Sequence, residues 1–234
     1  MKAWLVLDSS GERALVGFVC VESGETLSQH FTGEPRKHAE KLADLVTLAL
    51  KDAGLKLAAI QGVFAGRGPG SFVGVRVAMS HAKGLAHALN IPVAGHCSLL
   101  AHVDKNLQKE VLSRSSKGVV MSDARRNEIF ARPFEIREGR NFGVGEAQTL
   151  SFEDARALAL RSECVVTSID KEREAYKVLE GSHIFEVSGP SAFGAFAQAR
   201  SLPFSDLRTS LVPHYGRAPD AKVPLLIKTP SAAQ

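Results

Sequence analysis

The stretch from Val63 to Leu89, VFAGRGPGSFVGVRVAMSHAKGLAHAL, constrains this chain more than any other. Val63 to Ala65 predict a short buried strand, Gly66 to Gly70 a tight turn, and the residues from Ser71 onward a long helix. Glycine tolerates positive φ, whereas Pro69 fixes its own φ and biases its neighbour away from the right-handed helical region, so the turn is a strand-to-helix elbow. Val75, Ala78, Met79, Ala82, Leu85, Ala86 and Leu89 recur at the spacing of one buried helix face. The opposite side, Val73, Val77, Ser80, Gly84 and Ala88, is small or apolar instead of charged. Such a helix is expected to be covered twice, by its own sheet and by either a second layer of the chain or a partner protein.

The same turn invites a nucleotide. Gly68, Gly70 and Ser71 lead into a helix whose first N–H groups have no partner inside it, and an anion fits such a place. The known fingerprints do not match. A P-loop carries Lys before its hydroxyl residue, and none stands here; Pro69 interrupts the dinucleotide spacing, and no acidic residue follows at the required distance. Structural elbow and anion or nucleotide contact both stay open.

Upstream, Ala3 to Leu7 reads as a buried strand ending at Asp8, followed by strands over Ala14 to Val21 and Thr26 to Phe31 in an antiparallel meander. A helix over Arg36 to Ala53 carries a core stripe at Ala39, Leu42, Ala43, Val46, Ala49, Leu50 and Ala53, and Gly54 ends it. After the long helix Asn90 is its cap, Ile91 to Ala94 a strand, and Ser98 the cap of a helix over Leu99 to Gln108. The order is βββαβαβα, which yields a mixed five-stranded sheet with helices against it. The pattern then partly repeats. Strands are expected over Gly118 to Met121, ending at Asp123, then Ile129 to Phe134, Glu135 to Arg140, Val165 to Thr167 and Ile184 to Val187. Ser151-x-x-Asp154 opens one helix and Ser191 to Ala199 forms another. The expectation is an α/β chain of two subdomains, residues 1–101 and 102–234, the second degenerate.

At 234 residues and 44% hydrophobic content the chain can bury a sizeable core. Ten basic and eight acidic residues lie up to Leu100, nineteen and seventeen after it, so the net charge of +4 is spread evenly and neither half is a basic module. Cys20, Cys97 and Cys164 lie far apart without C-x-x-C spacing, which argues for reduced, buried thiols over a disulfide framework or a zinc site. The five apolar residues before Asp8 are too few for a signal peptide or a spanning helix, so a cytoplasmic protein is expected. Lys228 to Gln234 reads as a frayed end.

A duplicated βββαβαβα unit with an acidic residue after the first strand of each half resembles the actin-like ATPase architecture of sugar kinases and Hsp70-type proteins. Six blocks are further similar, in order along nearly the whole chain, to the bacterial TsaB (YeaZ) family. They are Asp8-Ser9-Ser10, Arg36-x-His38-x-Glu40-x-Leu42, Gly68-Pro69-Gly70-Ser71-Phe72-x-Gly74-x-Arg76, Ala82-Lys83-Gly84-Leu85-Ala86, Asp123-Ala124-Arg125-Arg126-x-Glu128-Ile129-Phe130 and Pro213-His214-Tyr215-Gly216-Arg217. Ser9 and Val73 stand where that family usually has Thr, and Gly216 where it has Leu. The hydroxyl missing at Val73 weighs against a polar role for the elbow. The resemblance implies a protein required to place the threonylcarbamoyl group on the adenosine beside the anticodon of tRNAs reading codons that begin with A. It implies a catalytically degenerate relative of the TsaD enzyme that pairs with TsaD directly. It also implies the TsaE ATPase in the assembled complex, tRNA reached through that complex, a homodimer when alone, no cofactor and no membrane.

Residue by residue, the chain is poorly equipped for catalysis. His81 with His87 and His96 with His102 are each six apart and share no helix face, and His38 reads as a capping or surface residue, so no metal site is expected. Asp8 and Asp123 are placed to face one another across a cleft, as Mg-nucleotide carboxylates do in actin-like kinases. Arg125, however, stands where that pattern needs glycine beside the phosphate, and Asp8 reads as a turn residue. A free-standing actin-like kinase or ATPase is the rival function. A serine peptidase is a weaker one, since no G-x-S-x-G surrounds Ser71. Arg125 and Arg126 either touch tRNA phosphates or join an Arg/Glu network between the halves. The expected partner surface is built on Ser80, Gly84 and Ala88, whose four-residue spacing lets helix backbones approach closely. Val73 and Val77 extend it, and Leu45 and Leu48 give the first helix an apolar edge outside its stripe. Matching helices of TsaD would complete a four-helix contact, and the same patch would pair with itself when no partner is present.

Overall fold

In a computed structural model of the chain the described residues are 1–32, 38–113, 115–199 and 211–216. Arg36, Arg217 and the Lys228 to Gln234 end lie outside them, as does the side chain of His38. Strands β1 (Ala3–Asp8) and β2 (Leu15–Cys20) are buried at every position, as apolar runs without alternation require when both faces of their sheet are covered. β3 (Thr26–Phe31) is a half-exposed edge. α1 (His38–Asp52), β4 (Ile60–Gly66), α2 (Phe72–Leu89) and β5 (Val93–His96) follow. β1 pairs antiparallel with β2 and parallel with β4, which gives the sheet order β3-β2-β1-β4-β5.

After a short 3-10 turn at Leu100–His102 and α3 (Lys105–Leu112), the topology repeats. β6 (Lys117–Arg125), β7 (Glu128–Arg137), β8 (Arg140–Gly143), β9 (Gln148–Ser151), α4 (Phe152–Arg161), β10 (Val165–Thr167), α5 (Glu174–Lys177), β11 (Ile184–Glu186) and α6 (Ala192–Ala199) follow among the described residues. The second sheet runs β8-β7-β6-β10-β11, with β9 added on β7. Each strand of the first sheet therefore has a counterpart, and β10 is parallel to both β6 and β11 as β4 is to β1 and β5. The repeat reaches single atoms. Asp8 Oδ1 accepts from Ser10 N at 2.9 Å, and Asp123 Oδ1 accepts from Arg125 N at 2.7 Å, the same two-residue bond at the end of the first strand of each sheet.

Leu5, Leu7 and Phe18 pack under Leu42 and Val46 of α1 and Val75 and Met79 of α2. The other face of this sheet is covered by α6. Trp4 stacks on Phe64 at 4.3 Å between centroids, and Phe196 meets Phe64 edge-on. Leu107 and Val111 of α3 lie instead on the second sheet, against a core with Val120, Phe130 and Phe134. α3 thus packs on the second sheet and α6 on the first.

Several expectations need correction. Ser98 caps no helix: α3 starts at Lys105, and its cap is Asp104, whose Oδ1 accepts from Asn106 N and Leu107 N. The two strands expected over Ile129 to Arg140 are one, β7, running through Pro133. On that edge β9 pairs as far as Ala131 and β8 begins at Phe134, so the missing N–H of proline falls in a gap of the ladder. A Glu138-Gly139 turn, both at positive φ, then leads into β8. Ala43 is exposed, whereas Leu45, expected outside the core stripe of α1, packs half-buried against it.

Candidate functional site

The elbow is built by close approach. A side chain at Gly66 would overlap the Asp8 carboxylate, one at Gly68 the carbonyl of His214, and one at Gly74 the carbonyl of Ser9. The Gly68–Pro69 peptide is cis. Gly68 N donates to Ser98 Oγ at 3.1 Å, and Ser98 N returns a bond to Gly68 O at 3.0 Å. Ser71 N donates to Ser10 O at 2.7 Å, Ser71 Oγ accepts from Gly74 N at 3.2 Å, and Ser9 Oγ donates to Gly74 O at 2.7 Å. Three N–H groups of the elbow, at Gly68, Ser71 and Gly74, are therefore already engaged within the chain. Gly70 lies against Ser10.

Beneath the elbow sits a buried carboxylate–imidazole contact that spacing did not reveal. Asp8 and His96 have fully buried side chains, with Nε2 of His96 2.9 Å from Oδ2 of Asp8. Burial pushes the Asp8 carboxyl up, but the hydrogen bond and charge of His96, with the bonds from Ser10, outweigh it and hold the pKa at about 2. Among the described residues Nδ1 of His96 has no partner. His102 has a different task. Its Nδ1 lies 3.0 Å from Ser98 O and its Nε2 3.0 Å from Ser168 Oγ, and burial pushes its pKa down. Among the described residues no three His, Cys, Asp or Glu side chains cluster to hold a metal ion.

Asp123 is not opposed to a free Asp8. Its Oδ2 takes Arg173 Nη1 at 2.9 Å and Arg125 Nη1 at 3.3 Å, and both guanidinium groups also reach Glu12 in the β1–β2 turn. Arg125 thus bridges the two sheets' hairpin turns, at the head of three successive positive-φ residues, Arg125, Arg126 and Asn127. Arg173 and Glu12 stand in polar loops with no local signal for this role. His96 had one: it is a polar residue ending an apolar strand beside β4.

The structure also brings two separate sequence blocks together. His214 N donates to Arg67 O at 2.6 Å, Arg76 Nε to Tyr215 Oη at 2.8 Å, and the Arg76 guanidinium lies 3.9 Å from the centroid of the Phe72 ring. Beyond this cluster runs the outward face of α2. Val73 is 68% exposed, Ser80, Gly84 and Ala88 are exposed, and Val77 is half-buried. Apart from its chain neighbours and its own helix backbone, no atom of the described residues lies within 4 Å of where a Cβ at Gly84 would stand. No second layer of described residues covers this face, and Leu48 of α1 is 42% exposed. None of the described helices is long and apolar enough to cross a membrane.

Residues 32–178 match the family described as TsaD: tRNA N6-adenosine threonylcarbamoyltransferase. The chain belongs to that family. An uncharacterized protein of Mycobacterium tuberculosis is 31% identical over 226 residues, 96% of each chain. The tRNA threonylcarbamoyladenosine biosynthesis protein TsaB of Escherichia coli is 32% identical over 113 residues, 48% of each. The crystal structure of an uncharacterized Pseudomonas aeruginosa protein with similarity to peptidase YeaZ superposes with a TM-score of 0.71 at 25% identity, covering 93% of this chain and all of that one. The chain is accordingly of the TsaB type, with the actin-like fold.

Proposed function

We propose that this chain is a non-catalytic subunit of tRNA threonylcarbamoyladenosine formation that binds and activates TsaD, the enzyme to which its family is related. The uncovered, small-residue face of α2 carries this reading. Val73, Val77, Ser80, Gly84 and Ala88, with Leu45 and Leu48 of α1, form the docking surface, which pairs with a second copy when TsaD is absent. TsaE joins the assembled cytoplasmic complex, and tRNA is reached through it. Residues 1–101 and 102–234 serve as the two subdomains. A kinase or ATPase finds little support, because Asp8 is paired with His96, and Asp123 with two arginines. Arg125 acts between the subdomains, and with Glu12 as its partner it offers no spare charge to tRNA phosphate. Gly68, Gly70 and Ser71 serve as elbow more than as anion site.

The test is co-purification with TsaD. Val77→Arg and Gly84→Leu chains with native circular dichroism should fail to bind it and fail to self-associate. Normal binding by both would place the interface elsewhere.

A further inference from the structure

We propose that the buried Asp8–His96 pair fixes the position of α2, so that Asp8 and His96 are positioning residues for the docking surface. The inference rests on the reading of α2 as that surface.

The elbow is gripped from two sides. On one, the Asp8–Ser10 turn holds the first turn of α2 at both ends: Ser10 O takes Ser71 N, and Ser9 Oγ donates to Gly74 O. On the other, the end of β5 holds the residues before the helix: His96 O takes Arg67 N at 3.0 Å, and Ser98 exchanges two bonds with Gly68. The contact of 2.9 Å between Asp8 Oδ2 and His96 Nε2 ties the two grips together in a place with no exposed side-chain surface. The Asp8 carboxylate fills the space that a side chain at Gly66 would need, so it is packed directly against β4. Oδ1 of the same group holds Ser10 N, which shapes the turn that carries Ser71.

His96 itself shows what it is for. A buried imidazole normally has both nitrogens satisfied, and leaving one unpaired is costly. Among the described residues Nδ1 of His96 meets no polar partner, and the polar contact its ring makes there is the one to Asp8. What the linkage places in space is the start of the docking face. Phe72 and Val73, 40% and 68% exposed, follow Ser71 directly, so a shift of Ser71 swings them out of register with whatever covers α2.

The experiment uses the full chain and compares His96→Leu, which cuts the tie, with His96→Gln, whose side-chain amide reaches the same carboxylate. Two quantities are read: hydrogen exchange at the amides of Gly68, Ser71 and Gly74, and affinity for TsaD. His96→Leu should keep native circular dichroism, exchange faster at those amides and bind TsaD at least about tenfold more weakly. His96→Gln should restore both. Wild-type exchange in His96→Leu, or no recovery in His96→Gln, overturns the proposal. Should His96→Leu fail to fold, Ser9→Ala makes a milder cut in the same linkage. It should speed exchange at Ser71 and weaken binding about threefold, and wild-type values for both would overturn the proposal. Val77→Arg distinguishes the two layers of the argument. If it binds normally, the surface reading fails and exchange alone judges the linkage. If it does not bind while His96→Leu does, the surface stands and the positioning role falls.

Discussion

Alanine at Gly84 and alanine at Gly74 should move stability in opposite directions, although both residues lie in α2. Apart from its chain neighbours and its own helix backbone, a methyl at Gly84 meets no atom of the described residues within 4 Å, so backbone preference decides, and Gly→Ala in an open helix interior gains about 1 kcal/mol. A methyl at Gly74 overlaps the carbonyl of Ser9, which is backbone and cannot rotate aside. The helix start must lift from the Asp8–Ser10 turn, which breaks the bonds Ser9 Oγ to Gly74 O and Ser71 N to Ser10 O. Two such bonds at about 1 kcal/mol each, plus the burial of groups left unpaired, exceed the propensity gain and leave a net loss of about 1–3 kcal/mol. For a chain of this size Tm moves by about 2–4 °C per kcal/mol. Thermal unfolding, followed by circular dichroism at a dilution where the chain is monomeric, should therefore rise by about 2–4 °C for Gly84→Ala and fall by several degrees for Gly74→Ala. A Gly74→Ala chain as stable as the parent would refute the packing of elbow on turn. A destabilised Gly84→Ala monomer would show that the outward face is covered by the chain itself.

Acid titration tests the buried pair. The folded pKa of Asp8, about 2, lies below its ordinary value of 3.8, so its stabilisation, on the order of 2 kcal/mol, is full above pH 4 and is lost as pH falls towards 2. Asp8→Asn should remove that component of the acid unfolding curve, and an unchanged curve would contradict it. Burial, with the charge of Glu163, pushes the Cys164 thiol up to about 11, so alkylating reagents at pH 8 should spare it until the chain unfolds; rapid labelling of the folded chain would count against this. Glu12→Gln should cost about 1 kcal/mol or less, and less still at high salt, because Glu12, Arg125 and Arg173 are 30–54% exposed. A large loss independent of salt would show a buried network instead.

Periodicity carried most of the fold. The stripe from Val75 to Ala86 and the terminal cap at Asn90, which takes the left-handed conformation, stand as the spacing predicts. So do Ser151 as the cap of α4 and the span of β10. These features depend on near neighbours in the chain, which a sequence displays directly. What periodicity missed depends on distant partners. The Asp8–His96 contact joins residues 88 apart, and Arg173 reaches Glu12 across 161 positions, neither foreshadowed by spacing. Leu45, beside the stripe of α1, packs half-buried against the core, a tertiary contact that helical spacing alone does not give. β9 was missed because its four residues are too few for an alternation to show. At the candidate site, the blankness of the outward α2 face was legible as an absence of charge. The elbow's internal bonding was not, since a Gly/Pro/Ser turn reads alike whether its N–H groups face an anion or the chain's own carbonyls.

The central claim, a role in threonylcarbamoyladenosine formation exercised through the α2 surface, is tested most directly by the modification itself. Cells depleted of this protein are complemented with the parent chain or with Val77→Arg at equal abundance, and threonylcarbamoyladenosine in bulk tRNA is quantified by nucleoside mass spectrometry. Depletion should remove the nucleoside, the parent chain should restore it and Val77→Arg should not. Modification that persists without the protein, where no relative substitutes for it, or full restoration by Val77→Arg, would contradict the account.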